Sequence, residues 1–242
     1  MHSSSVPHTA VLIGRFQPFH LGHLALLQQA LQAAAQVVVV LGSAYQARSP
    51  KNPFTWPERK TLILGSLPAA DAARVRCVPV RDYYDEPRWV QAVIAAVHTE
   101  VPAGARIALV GHFKDATSSY LARFPDWELL SLPRQGAFDG TPTREIYWNL
   151  QDLPHDQMWE QLAPLLPAST AQWLRQWQTT PDYAAMRAEW RMIAGYKSAW
   201  ASAPYPPVFV TVDGLLVCNG HVLLIQRGHA PGKGLWALPG GF

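Results

Sequence analysis

Gly14-Arg15-Phe16-Gln17-Pro18-Phe19-His20-Leu21-Gly22-His23 follows the apolar run Ala10 to Ile13 and precedes a helix-like segment, Leu24 to Leu31. The change of pattern reads as a turn from a buried strand into a helix. In an open α/β sheet such a turn lies at the carboxyl end of a strand, where ligands bind. Gly14 and Gly22 let the backbone approach a ligand closely, and Pro18 stiffens the loop. His20 and His23 bracket the helix start, where unpaired N–H groups and the positive end of the dipole favour an anion. That chemistry suits a phosphate.

His-x-Gly-His after a first strand resembles the signature of the nucleotidylyltransferase superfamily. The longer form, with nine of its ten positions specified, resembles the nicotinamide mononucleotide (NMN) adenylyltransferase branch, in the archaeal-type version that some bacteria fuse to a Nudix hydrolase. The resemblance implies a Rossmann-like α/β fold with a doubly wound parallel sheet and C-terminal helices. It also implies that Gly14, Phe16, Gln17, His20, Gly22 and His23 surround ATP, and that Arg15 faces NMN.

The rest of the chain continues the α/β pattern. Gln36 to Ala44 contains the run Val37-Val38-Val39-Val40-Leu41, which reads as a strand covered on both faces. A polar loop through Arg48, Lys51 and Asn52 leads to Thr55, a candidate N-cap with Pro57 in the first turn and Glu58 three residues on. Arg74 to Val80, Arg106 to Phe113 and Trp127 to Leu132 read as three more strands. A helix is expected from about Pro87 to His98, another from Asp115 to Arg123, and another from Glu145 to Leu150. Trp173 and Trp177, one turn apart, read as a single buried face.

Several of these blocks extend the resemblance. Gly42-Ser43-Ala44 followed by Asn-Pro-Phe-Thr-x-x-Glu-Arg is similar to a second block of the archaeal-type enzymes, whose basic residue, here Arg48 or Lys51, faces phosphate on the NMN side. Asp82 and Trp89 correspond to the carboxylate and the indole that hold the nicotinamide ring; a core-facing role for Trp89 stays open. Gly111-His112-Phe113-Lys114-Asp115 resembles a block of the fused bacterial enzymes and places Lys114 at the nucleotide, with a solvated surface lysine as the alternative. Gly140-Thr141-Pro142-Thr143-Arg144 resembles the C-terminal block that holds the triphosphate. Thr141 and Arg144 are in register, whereas Asp139 and Gly140 stand in serine positions. A guanidinium fits phosphate oxygens in a bidentate way.

Composition bounds the partners. In 242 residues, 49% are hydrophobic and 15% charged, with a net charge of +3 and no run of Lys and Arg. A small phosphorylated ligand fits this balance; a nucleic acid track does not. Two cysteines, Cys77 and Cys218, lie in apolar runs and read as buried free thiols. The N-terminus lacks the apolar core of a signal peptide and no run approaches 18 apolar residues, so a soluble cytoplasmic protein without a membrane partner is expected.

Asp182 to Ala201 reads as a connecting helix ended by the linker Ala203-Pro204-Tyr205-Pro206-Pro207, which separates a transferase domain over 8–180 from a segment over 208–242. Beyond the linker the period becomes two, over Val208 to Val212, Leu215 to Cys218 and Val222 to Ile225, with Asn219-Gly220 as a hairpin turn. The tail Gly232 to Phe242 resembles the residues that lead into a Nudix box, Gly241 being its first glycine. The expectation is an incomplete α+β Nudix domain, stopped before the metal-binding Arg-Glu-x-x-Glu-Glu helix, in a longer protein that hydrolyses ADP-ribose or a similar compound.

The resemblance implies the reaction ATP + NMN to NAD + pyrophosphate, with His20, His23 and Arg144 catalytic and Mg²⁺ carried by the ATP phosphates without a protein ligand set. Two other readings stay open: a sister transferase with another phosphate acceptor, and a non-catalytic sensor of NAD metabolites. Oligomeric state is open too, a homo-oligomer included.

Overall fold

The computed structural model describes residues 7–111, 122–133, 136, 138–149, 155–205, 207, 208 and 210–241. The chain divides into two compact units, Met1–Gln46 with Lys51–Trp177, and Ala47–Pro50 with Gln178–Phe242.

The first unit is built on strands β1 (Thr9–Gly14), β2 (Gln36–Leu41), β3 (Val75–Pro79), β4 (Ile107–Gly111) and β5 (Glu128–Ser131). They form one sheet in the order β3-β2-β1-β4-β5, and every pairing is parallel. The valine run of β2 is buried throughout, as a strand covered on both faces must be. Alternate residues serve opposite faces. Ala10, Leu12, Val37 and Val39 pack with Leu27 and Leu31 of helix α1 (Leu21–Ala33) and with Leu62 and Ile63 of α2 (Trp56–Leu64). Val11, Val38 and Val40 pack with Val93 and Val97 of α4 (Glu86–His98), which follows the short α3 (Ala69–Ala72). Connections run outward from β1 in both directions, so the switch point lies beside its carboxyl end.

The five expected strands of the sheet begin within one residue of those observed. Helix α5 (Gly140–Trp148) is a correction: it starts five residues before the expected Glu145. Asp139, in extended conformation, precedes it, and Pro142 sits in the first turn, where its missing N–H leaves no bond unmade. The expected helix from Asp115 lies largely outside the described residues. Helices α6 (His155–Leu162) and α7 (Ala168–Trp177) complete the unit. Trp173 and Trp177 stack at 6.2 Å and both meet Phe54 edge to face, which is the buried face their spacing suggests.

Two buried side chains tie the loops at the carboxyl ends. Gln17 Nε2 donates to the Phe54 carbonyl at 2.7 Å while its Oε1 accepts from the Phe54 N–H at 3.0 Å. Arg59 on α2, 0% exposed, donates through Nη1 to the carbonyls of Arg15 and Gly42, both at 2.7 Å. Glu58 accepts from the Thr55 N–H and hydroxyl, as the helix-start pattern requires.

The second unit holds helix α8 (Pro181–Ala199) and three antiparallel pairs of two-residue strands: β6 (Val212–Asp213) with β11 (Gly240–Gly241), β7 (Val217–Cys218) with β8 (His221–Val222), and β9 (Ile225–Gln226) with β10 (Trp236–Ala237). Asn219 and Gly220 take φ of 47° and 76°, the turn their sequence demands. The ladders are shorter than the apolar runs, and Val210 and Trp236 are 76% and 68% exposed. Cys218 is exposed and Cys77 half-buried, correcting the expectation of two buried thiols; a two-residue hairpin supplies no layer to cover Cys218. Among the described residues no helix is long and apolar enough to cross a membrane.

Replacing Gln17 by Leu strands the Phe54 N–H and carbonyl in the core. The substitution is expected to destabilise the sheet unit by about 2–4 kcal/mol, read as a lower urea midpoint. An unchanged midpoint would show that the clamp does not hold the loop.

Candidate active site at the strand ends

The first turn after β1 is held by its own histidines. His20 is the N-cap of α1; its Nδ1 accepts from the His23 N–H at 3.3 Å, and His23 Nδ1 accepts from the His20 N–H at 3.4 Å. An imidazole nitrogen that accepts carries no proton, so a neutral His23 ring is protonated at Nε2, which can then act as a donor. The rings stack at 3.6 Å, and Phe16 and Phe19 flank His23 at 4.8 and 5.8 Å. Burial among these rings, and secondarily the neighbouring His20, hold the His23 pKa well below the ordinary 6.5. Phe16 itself sits at φ 51°, a left-handed conformation that a bulky residue adopts only when its surroundings enforce it. Its ring fills the space a side chain at Gly14 would need, and Gly22 is likewise closed by Phe138.

Opposite the turn lies the start of α5. Arg144 Nη1 donates to the Gln17 carbonyl at 2.6 Å and Nη2 to the Thr141 hydroxyl at 3.0 Å. Burial, and then the nearby Arg15, lower its pKa to about 10, so it stays cationic at neutral pH. Thr143 is engaged differently, donating to the Asp139 carbonyl at 2.8 Å. Between the two elements opens a cleft of about 440 Å³ lined by Arg15, Phe16, Gln17, His23, Thr141 and Arg144 among others. Two guanidiniums, an imidazole donor and a helix N-terminus converging on one cleft make an anion site. A larger cleft of about 470 Å³, lined by Ile94, Ile107, Phe124 and Trp127 among others, sits at the amino ends of β4 and β5, the end where such sheets do not bind ligands.

The other sequence-derived residues are more dispersed. Asp82, just beyond β3, accepts from the Ser43 N–H at 3.1 Å, the Ser43 hydroxyl at 2.7 Å and Gln46 at 2.9 Å. Trp89 on α4 meets Phe124 edge to face at 6.0 Å and packs partly against the core. Lys51 is exposed. Arg48 belongs to the second unit and pairs with Asp182 at 2.9 Å. Lys114 lies outside the described residues. Among those described, no group of three His, Cys, Asp or Glu converges as a metal site.

Arg59 closes the Asn-Pro-Phe-Thr-x-x-Glu-Arg block, whose pattern alone gives it no role. Its signal was present: Arg59, Leu62 and Ile63 share one face of α2 by spacing, so a charge falls on the buried side and needs partners there. Phe138, stacked on His20 at 6.3 Å, gave no such signal.

Residues 11–75 match the Cytidylyltransferase-like family. The nicotinamide/nicotinic acid mononucleotide adenylyltransferase of Acinetobacter baylyi is 36% identical over 75% of this chain and 92% of its own length. The nicotinamide-nucleotide adenylyltransferase of Thermoplasma volcanium is 31% identical over 66% and 84%. A crystal structure of a bifunctional NMN adenylyltransferase/ADP ribose pyrophosphatase from Francisella tularensis, complexed with AMP and a Mn ion, superimposes with a TM-score of 0.86 at 35% identity, covering 98% of this chain and 68% of that one.

The lowered His23 pKa has a stability consequence. Between the folded-state value and 6.5 the unfolded chain binds a proton that the folded chain refuses. The contribution of His23 is therefore full above pH 6.5 and declines on acidification through that value. Melting temperature followed from pH 8 to 5 is expected to fall more steeply for the wild type than for His23→Asn, which keeps an acceptor for the cap; parallel curves would contradict the assignment.

Proposed function

The chain belongs to the nicotinamide-nucleotide adenylyltransferase family, and from that premise we propose how its strand-end cleft transfers the adenylyl group of ATP to NMN, giving NAD and pyrophosphate. The observation that carries the residue assignment is the convergence of Arg15, His23 and Arg144 on one cleft at the start of α1.

The NMN 5′-phosphate attacks the α-phosphorus in line and pyrophosphate leaves, so the protein supplies position and charge and no nucleophile. His23 donates from Nε2 to a non-bridging α-phosphate oxygen, with His20 stacked beside it. Their reciprocal caps hold both rings before substrate arrives, which keeps reorganisation small. Arg144 meets the β and γ oxygens and is aimed by Thr141 and the Gln17 carbonyl. Gly14 and Gly22 keep the motif loop and α1 close, while Phe16 and the Gln17 main chain wall the ATP side. Lys114 is assigned to the same nucleotide.

On the acceptor side Arg15, Asp82, Trp89 and, of the two basic loop candidates, Lys51 are assigned to NMN. The pyridinium is a flat cation, for which a carboxylate and an indole are apt partners. The cationic donor set fits phosphate oxygens and not a bare cation, so Mg²⁺ would arrive on the ATP phosphates. When bound it neutralises charge on the leaving pyrophosphate. The strand pairs of residues 212–241 are read as part of a Nudix-type second region, like the pyrophosphatase part named for the Francisella protein, with ADP-ribose as its substrate class. On this reading the enzyme works in the cytoplasm.

Pyrophosphate release measured with ATP and Mg²⁺ is expected to require NMN. His23→Ala and Arg144→Lys should each lower the rate roughly 100–1,000-fold, the effect of removing one preorganised donor. Release that ignores NMN, or persists at the wild-type rate in both variants, would overturn the assignment.

A further inference from the structure

We propose that Ser43 is a positioning residue for the acceptor: it fixes the Asp82 carboxylate in the orientation in which NMN meets it. The inference rests on the reading of Asp82 as an NMN contact and gives a role to a serine for which the motif block states none.

Ser43 is 8% exposed and takes φ 49°, a left-handed conformation in a residue other than glycine. Tyr45, two positions on, is left-handed too, at φ 61°. Such backbone persists only where the surroundings enforce it, and it clusters at functional sites. Here the enforcing group is visible: Arg59, buried in α2, holds the Gly42 carbonyl at 2.7 Å and approaches that of Ser43 at 3.5 Å. The constrained turn presents both the N–H and the hydroxyl of Ser43 to one carboxylate, with the Gln46 amide as third donor.

The sheet does not need this arrangement. Main-chain bonds already join the ends of β2 and β3, from the Val80 N–H to the Leu41 carbonyl and from the Ala44 N–H to the Val80 carbonyl, both at 3.0 Å. Asp82 is exposed, and an exposed aspartate is ordinarily free to rotate. Three donors on its two oxygens hold it in one orientation. A carboxylate held in this way is ready for a positively charged ring or an amide N–H, and it repels an acceptor carrying a carboxylate at the same place.

The test uses the full chain with Ser43→Gly and Ser43→Ala. Glycine accepts φ 49° without strain, so Ser43→Gly removes the hydroxyl without straining the turn. The KM for NMN is expected to rise about tenfold in both variants, the worth of one charge-assisted hydrogen bond, while the KM for ATP moves less than about twofold. Asp82→Asn should raise the KM for NMN in the wild type but add much less in the Ser43→Gly background. If the wild type turns over NMN and both Ser43 variants keep its KM, or if the KM for ATP shifts equally, the positioning role is wrong. A wild type that consumes no NMN would overturn the acceptor reading itself.

Discussion

The carbonyls of Arg15 and Gly42, just beyond the ends of two neighbouring strands, meet on one guanidinium, that of Arg59. Burying a charge is unfavourable unless its hydrogen bonds are made inside the protein. That cost is visible in the Arg59 pKa, lowered to about 10 chiefly by burial and partly restored by Asp82. Its consequence is geometric. The loop after β1 carries Arg15 and His20 and leads into His23 in the first turn of α1, and the loop after β2 carries Ser43, so Arg59 ties both loops together. The Gln17 clamp on Phe54 adds a second tie between the same regions. A transfer in which one phosphate must approach another in line depends on such fixed separation.

The chemistry of the cleft follows from what this clamp leaves available. Arg15 disfavours the positive charge on Arg144, a tension that an anionic ligand relieves. His23, kept neutral by burial and by its stacked partner, contributes a directed donor without a third positive charge. Phosphate groups entering this cleft would meet two cations and an oriented imidazole, and their charge offsets the repulsion between the arginines.

What could be read from the residues divides along the same physics. Runs such as Val37 to Leu41 are long, apolar and β-branched, so the parallel sheet was legible. His20 and His23 were legible as residues that bracket a helix start, where they form reciprocal caps. The start of α5 was missed because Thr141 to Arg144 resembles a loop motif, while Pro142 is as much at home in a first helical turn. Arg59 was missed because local pattern shows that a charge faces inward but not which distant carbonyls receive it. Ser43 depends on a backbone angle, φ 49°, that a serine in sequence does not announce. The second unit's apolar runs were legible as runs, yet most of them form ladders of only two residues.

If one cleft brings the α-phosphorus of ATP to the phosphate of NMN, the fate of that phosphorus reveals it. With ATP labelled at the α position, Mg²⁺ and NMN, the label is expected in NAD in step with unlabelled pyrophosphate. Label found in AMP or ADP, or left in ATP while NMN persists, would contradict it.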